Sequence, residues 1–314
     1  MPDMQSPLPR SGSRPFVTDG GLETWLVFQQ GIDLPCFAAF PLVSATEGRA
    51  VLEMYYRPYF ELARRHRTGI VLDAPTWRAN RDWGEKLGYA PRELFELNRA
   101  ALAFVAGLGR EGDVSPGTPV ALNGVVGPRG DGYRVESLMS AAEAQDYHAL
   151  QVAAFADSGA DMVSAVTMTY VDEAVGIALV ARAFGLPVVI SFTVETDGRL
   201  PSGDDLGAAV AEVDRRTGAY PAYYMVNCAH PTHFEHVLEA GAAWLDRIGG
   251  LRANASTKSH AELDAATELD AGDPQALARD YALLRSRLKH LCVVGGCCGT
   301  DHRHVAAICE ACLV

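Results

Sequence analysis

The sequence predicts an α/β fold, a single (β/α)8 TIM-type barrel, on three observations. Eight short apolar runs alternate with segments of helical periodicity along all 314 residues, and α/β barrels commonly reach such a length as one domain. Most of these runs are β-branched and apolar on both faces, as parallel strands buried between helices must be. No glycine-rich dinucleotide loop follows the first run, which weakens the main alternative, a doubly wound open sheet.

The strands are expected at 16–19 (FVTD), 69–73, 119–123, 161–166, 187–192, 223–227, 242–250 and 291–295. The segment 46–66 has the length and periodicity of the first long helix. In 140–159, Ala141, Ala144, Tyr147 and Leu150 recur at helical spacing and Gly159 supplies a stop. The segment 172–185 follows the same pattern, and in 273–290 Asp273 and Pro274 provide a cap and a first-turn proline. The polar, acidic stretch 252–274 reads as a long loop or short helices after the seventh strand. Residues 1–15, rich in proline and serine, are expected to form a disordered tail, and 16–314 the barrel, with no repeat or interdomain linker.

An apolar fraction of 48% is ample for a large core. A formal net charge of −12 lacks the basic footprint that nucleic acid or an anionic membrane surface requires, so neither is an expected partner. No charged-then-apolar leader opens the sequence, and no apolar run approaches the roughly 18 residues of a membrane span. A cytoplasmic protein is expected. Seven cysteines without an even framework suit a reducing compartment better than a disulfide scaffold.

The chemistry concentrates at the ends of two strands. The eighth run leads into GGCCGT, placing Cys297 and Cys298 at its C-terminal end, the face where barrels carry their active sites. The sixth run ends in Asn227 and Cys228 in the same way. Three thiolates converging from strands six and eight suit Zn2+, and a fourth position left for substrate would make the site catalytic. Gly295, Gly296 and Gly299 are expected to let the backbone bend so that both adjacent thiols face one ion. Cys36 and Cys292 read as small buried hydrophobes, Cys309 and Cys312 as a helix packing face, and His230 as a loop residue.

VNCAHP followed by GGCCGT resembles the zinc-dependent homocysteine S-methyltransferases, as do TDGGLETWL at 18–26 and RLPSG at 199–203. The resemblance runs over residues 16–308 and implies a barrel, zinc on Cys228, Cys297 and Cys298, and transfer of a methyl group to a thiol. The implied partners are a small thiol acceptor, homocysteine giving methionine, and a sulfonium or methylated ammonium donor; self-association is left open. Asp19, Gly20, Gly21, Thr76, Val166 and Asn227 are the expected substrate-binding residues, with Asp19 holding polar groups where the two glycines allow close approach. Asp19 reads alternatively as a turn residue capping the next segment.

Two departures bear on the acceptor. Val166 stands where the resemblance implies a glutamate for the amino group of homocysteine, and Pro75 stands in place of an asparagine. A valine cannot pair with an ammonium, so weak homocysteine binding is expected; Asp73 and Glu195 read first as ordinary strand-end or loop carboxylates and second as substitutes. Trp25, Trp77 and Tyr170 read first as core or barrel-rim packing and second as cation–π contacts to the donor. The alternatives are the same chemistry on a different thiol or selenol, or a non-enzymatic zinc or redox sensor in which Cys297 and Cys298 pair.

Overall fold

The computed structural model describes residues 8–111, 117–135 and 138–313. Eight parallel strands close into a barrel in sequence order: β1 (Phe16–Val17), β2 (Gly69–Asp73), β3 (Val120–Val126), β4 (Met162–Met168), β5 (Val188–Phe192), β6 (Tyr223–Asn227), β7 (Ile248–Ala253) and β8 (Val293–Gly296). A helix follows each: α1 (Thr46–His66), α2 (Pro91–Glu111), α3 (Ala141–Asp157), α4 (Val171–Ala183), α5 (Leu206–Thr217), α6 (Pro231–Phe234), α7 (Pro274–Arg287) and α8 (His302–Cys312). The predicted barrel is the observed one.

Local chemistry sets the helix ends. Ser140 and Glu143 form a reciprocal capping box at α3. Asp273 accepts from the Gln275 amide with Pro274 in the first turn of α7, as expected. Asp301, buried, accepts from the Arg303 amide and starts α8 directly behind the cysteine pair. Between helices and strands lies the main apolar core, to which Cys309 and Cys312 contribute as the predicted packing face. Inside the barrel, Phe16, Val71, Ala121, Met162, Val189 and Met225 form a second cluster.

The strand boundaries depart from the sequence reading where apolar runs serve other ends. The run expected to be strand seven from 242 is a 3-10 helix over Ala243–Arg247, and β7 begins at Ile248. Trp244 packs against α5, where a Cβ on Gly207 would lie 2.5 Å from the indole nitrogen, so this stretch covers a helix and does not join the sheet. Strand four runs past Val166 to Met168 through a register shift between Ala165 and Met168. Residues 8–15, within the segment expected to be a tail, are placed against the barrel: Leu8 packs on the interior cluster and the Gly69 amide donates to the Pro15 carbonyl at 2.8 Å. Residues 1–7 lie outside the described residues.

Among the described residues no helix is long and apolar enough to cross a membrane.

Candidate functional site

A cavity of about 540 Å³ opens at the C-terminal ends of the strands. All nine residues predicted for the site line it: Asp19, Gly20, Gly21, Thr76, Val166, Asn227, Cys228, Cys297 and Cys298. The strand-end geometry of a barrel brings them together from five strands although they span most of the chain.

The sulfurs of Cys228, Cys297 and Cys298 all lie within 4.8 Å of one another. Cys228 and Cys297 are joined as a disulfide with a Cα–Cα distance of 5.4 Å, and Cys298 is free. The pairing is therefore across the two strands, and the vicinal Cys297–Cys298 pair considered above does not form. Reduced, the three residues offer three thiolates to one point, a donor set and spacing that fit zinc. His230 is turned away, its ring accepting from the Thr232 amide at the start of α6.

The glycines work differently from the sequence expectation. Gly295 and Gly296 are extended residues of β8, and only Gly299 has a positive φ, +79°. What Gly295 and Gly296 supply is closeness: a Cβ would collide with the Thr18 hydroxyl at the first and with the Thr300 hydroxyl at the second. Gly295→Ala should cost about 1–3 kcal/mol of stability, the usual penalty of overpacking a tight site, measurable by urea unfolding. Gly21 is equally constrained, since its Cβ would lie 2.5 Å from the Cys297 carbonyl oxygen. The glycines after β1 thus seat that turn on the cysteine loop.

Asn227 holds the site's polar scaffold. Its Oδ1 accepts from the Ser191 hydroxyl at 2.6 Å and the Thr167 amide at 2.9 Å, and its Nδ2 donates to Thr167 Oγ1 at 2.9 Å and faces Cys297 Sγ at 3.8 Å. Thr167 and Cys228 adopt φ of 62° and 53°, left-handed conformations that cost a non-glycine residue energy. At the bulge of β4 this conformation directs Thr167 toward Asn227 and brings its Oγ1 to 3.9 Å from Cys228 Sγ. Thr76 is buried and spends its hydroxyl on the Val125 carbonyl, at 2.8 Å.

Asp19 does not cap the following segment. Its carboxylate is bonded by Arg252 Nη2 and accepts from the Tyr55 hydroxyl at 3.1 Å. Arg252, from β7, also bonds Asp73 and donates from Nε to the Gly296 carbonyl at 3.1 Å. Asp73 in turn accepts from Asn123 Nδ2 at 2.6 Å, which continues the network to Ser164. Burial pushes the Asp19 carboxyl up to about 7 against the opposing pull of Arg252. Burial lowers Arg252 as well, but Asp73 and Asp19 outweigh it and hold the guanidinium firmly protonated.

Neither predicted substitute carboxylate is available to an ammonium. Asp73 is engaged by Arg252 and Asn123, and Glu195 faces His260 Nδ1 at 3.1 Å and does not line the cavity. Two of the three aromatics follow the packing reading. Trp25 packs on Tyr55 at 5.3 Å and the Tyr170 hydroxyl accepts from the Met139 amide; neither lines the cavity. Trp77 does line it, with the Arg78 guanidinium 4.3 Å from its ring centroid. The RLPSG segment closes on itself through an Arg199–Gly203 hydrogen bond of 3.1 Å and also stays outside the cavity.

Residues that the sequence reading missed complete the wall. Tyr133 donates its hydroxyl to Cys298 Sγ at 3.5 Å and stacks on His260 at 4.0 Å. His260 Nε2 and Asn254 Nδ2 reach the Cys228 carbonyl at 2.7 and 3.0 Å. Burial, partly offset by Tyr133, pushes the Cys298 thiol up to about 11. Glu23, half-buried in the wall, is raised to about 7 by burial, with its own amide and then Arg78 pulling the other way. No short-range sequence pattern announces Tyr133 or Glu23, because both depend on how loops fold over the barrel.

Comparison with known proteins agrees with this geometry. Three crystal structures of the homocysteine methyltransferase MmuM from Escherichia coli share the fold. The metallated form matches with a TM-score of 0.70 at 20% identity over 95% of this chain and 96% of that one. The oxidized form matches with 0.70 at 18% identity over the same shares, and the apo form with 0.64 at 19% over 96% of each chain. A comparison of the sequence with curated proteins finds no match. The family model for homocysteine S-methyltransferase matches residues 16–312, nearly the whole chain, and the chain belongs to that family.

Proposed function

We propose that this S-methyltransferase carries a methyl group from a small sulfonium or methylated ammonium donor to the thiol sulfur of homocysteine, giving methionine, with Zn2+ held by Cys228, Cys297 and Cys298. The observation that carries the reading is the convergence of three cysteine sulfurs within 4.8 Å at the floor of a closed-barrel cavity. Zinc bound there supplies a Lewis acid that keeps a thiol deprotonated at neutral pH, where a free thiol near pKa 8.5 is mostly protonated.

The chain's own residues do the rest. Asn227 at the end of β6 braces Cys297, Thr167 of β4 braces Cys228, and Tyr133 braces Cys298. Cavity walls of Val166, Trp77 and Phe37 exclude water from the approaching methyl group. The Gly20–Gly21 backbone and the Arg252-bound Asp19 shape the end of the cavity against β1. The balance is simple: one carbon–sulfur bond forms at the acceptor, one carbon–sulfur or carbon–nitrogen bond breaks at the donor, and the donor leaves neutral at the reacting atom.

Mass spectrometry of the reduced, zinc-loaded protein with homocysteine and S-methylmethionine or betaine tests this directly. Formation of methionine supports it, and no methylated thiol with any sulfonium or ammonium donor sinks it. Val166, which gives the acceptor no charge partner from β4, favours as a second reading the same chemistry on another thiol or selenol, and the same screen separates the two.

Tyr133→Phe supplies an independent check on the metal site. Removing a hydrogen bond to a ligand typically lowers metal affinity about 10–100-fold, so chelator competition should show weaker zinc binding. Unchanged affinity would mean that the Tyr133 contact is incidental to the ion.

A further inference from the structure

Seven carboxylates and two arginines line the cavity, and not every carboxylate finds a cation. Asp19 and Asp73 are both bonded by Arg252. Asp131 faces Arg78 at 3.9 Å, Asp264 faces Arg134 at 3.5 Å, and Asp270 faces Lys258 at 3.4 Å. Two lining carboxylates remain, Glu23 and Glu268, for which no cation stands within 4.0 Å among the described residues. Glu268 is an exposed rim residue, whereas Glu23 is half-buried in the wall. A half-buried carboxylate with no cation in contact is costly to keep charged, and a ligand that brings one recovers part of that cost.

Glu23 is also tied to the thiols by its neighbours on both sides. Two residues before it, Gly21 donates its amide to the Thr300 carbonyl at 3.1 Å and rests on the Cys297 carbonyl. One residue after it, Thr24 Oγ1 accepts from the Gly299 amide at 3.1 Å and donates to the Gly21 carbonyl at 2.9 Å. The short helix Leu22–Thr24 is thereby fastened to the loop that carries Cys297 and Cys298. A group bound at Glu23 is held in fixed relation to a sulfur bound at the cysteines. From the opposite side Val166 contributes only methyl groups.

We infer that Glu23 is the residue that selects an amino-acid thiol as acceptor, receiving the acceptor's primary ammonium group while its sulfur faces the three cysteines. The inference rests on the methyl-transfer reading above and names the acceptor class of that same site. An ammonium suits Glu23 better than the donor's cation does. Its N–H groups make charge-assisted hydrogen bonds with a carboxylate, whereas a sulfonium or quaternary ammonium has no N–H to give.

The test compares homocysteine with 4-mercaptobutyrate, the same chain without the amino group, in the reduced, zinc-loaded protein. Calorimetric Kd and kcat/KM with S-methylmethionine are the readouts. The wild type should prefer homocysteine by roughly 10–100-fold, the range of a charge-assisted hydrogen bond. Glu23→Gln should lose most of that preference while 4-mercaptobutyrate stays within about twofold and the zinc content is unchanged. Glu23→Asp, which keeps the charge, should recover part of it. An undiminished preference in Glu23→Gln, or equal use of both thiols by the wild type, overturns the assignment and leaves methyl transfer standing. Failure of the wild type to methylate either thiol takes down the methyl-transfer reading, and the assignment with it.

Discussion

Cys298→Ser, reduced and offered zinc, should retain only a small fraction of the roughly one ion per chain expected of the wild type, and should lose methyl transfer with it. An apparent binding free energy of about 10–16 kcal/mol shared among three or four ligands is roughly 3–4 kcal/mol each, a hundred- to thousand-fold in affinity. Serine keeps the size of the side chain but offers zinc a poor, protonated ligand. The fold should survive, because the Cys298 side chain lines the cavity and has no place in the apolar clusters. Metal analysis by plasma mass spectrometry, with circular dichroism as the folding control, reads both outcomes. Zinc at wild-type level in the variant would remove Cys298 from the ligand set. Reduction must come first, since a Cys228–Cys297 disulfide withholds two of the three thiolates.

Arg252→Met should be the most destabilising substitution at the site. It leaves the Asp19 and Asp73 carboxylates together in the barrel mouth without their counter-charge, a change that typically costs about 3–5 kcal/mol. The loss should depend on pH. Burial already raises Asp19 to about 7 in the native state, and removing the pull of Arg252 raises it further. The native variant then binds more protons than its unfolded chain, so acidification stabilises it relative to the wild type. Its deficit should shrink as the pH falls to about 7, the value of Asp19 in the wild type, and grow as the pH rises above it. Urea unfolding across that range measures it; a deficit that does not change with pH would show that the two carboxylates are screened by water.

The sequence reading reached the barrel and the three cysteines because both leave local marks. Buried parallel strands must be apolar on both faces, and a thiol at a strand's C-terminal end lies on the barrel's working face wherever its neighbours are in the chain. Two kinds of feature left no such mark. One is the boundary between strand and covering segment: AAWLDR is as apolar as a strand, and only its contact with Gly207 on α5 distinguishes it. The other is pairing across the barrel. Asp73 looked available to a substrate until Arg252, 179 residues away, was placed on it. Tyr133 stood in a polar loop, and its relation to Cys298 exists only after closure. Glu23 lay inside a stretch already noted for its glycines, and its importance comes from which of the surrounding carboxylates already have partners.

The thinness of β1 has a consequence for how the molecule assembles. With two residues, it offers only Phe16 and Val17 to pair with Gly69 and Ile70 on one side and Val293 and Val294 on the other. Closing the ring therefore brings together positions nearly the full chain apart, an entropically costly step that little local hydrogen bonding rewards. The Arg252 bridge spans that seam, from β7 across β8 to Asp19, two residues past β1, and on to the end of β2. It can form only when the ring is shut. Ring closure is thus expected to come late in folding, and the amides of β1 should exchange with solvent sooner than those of β4 to β6 in the native protein. The seam whose closure comes last is also the one that seats the β1 turn on the cysteine loop, so the site is completed by the same event that completes the barrel.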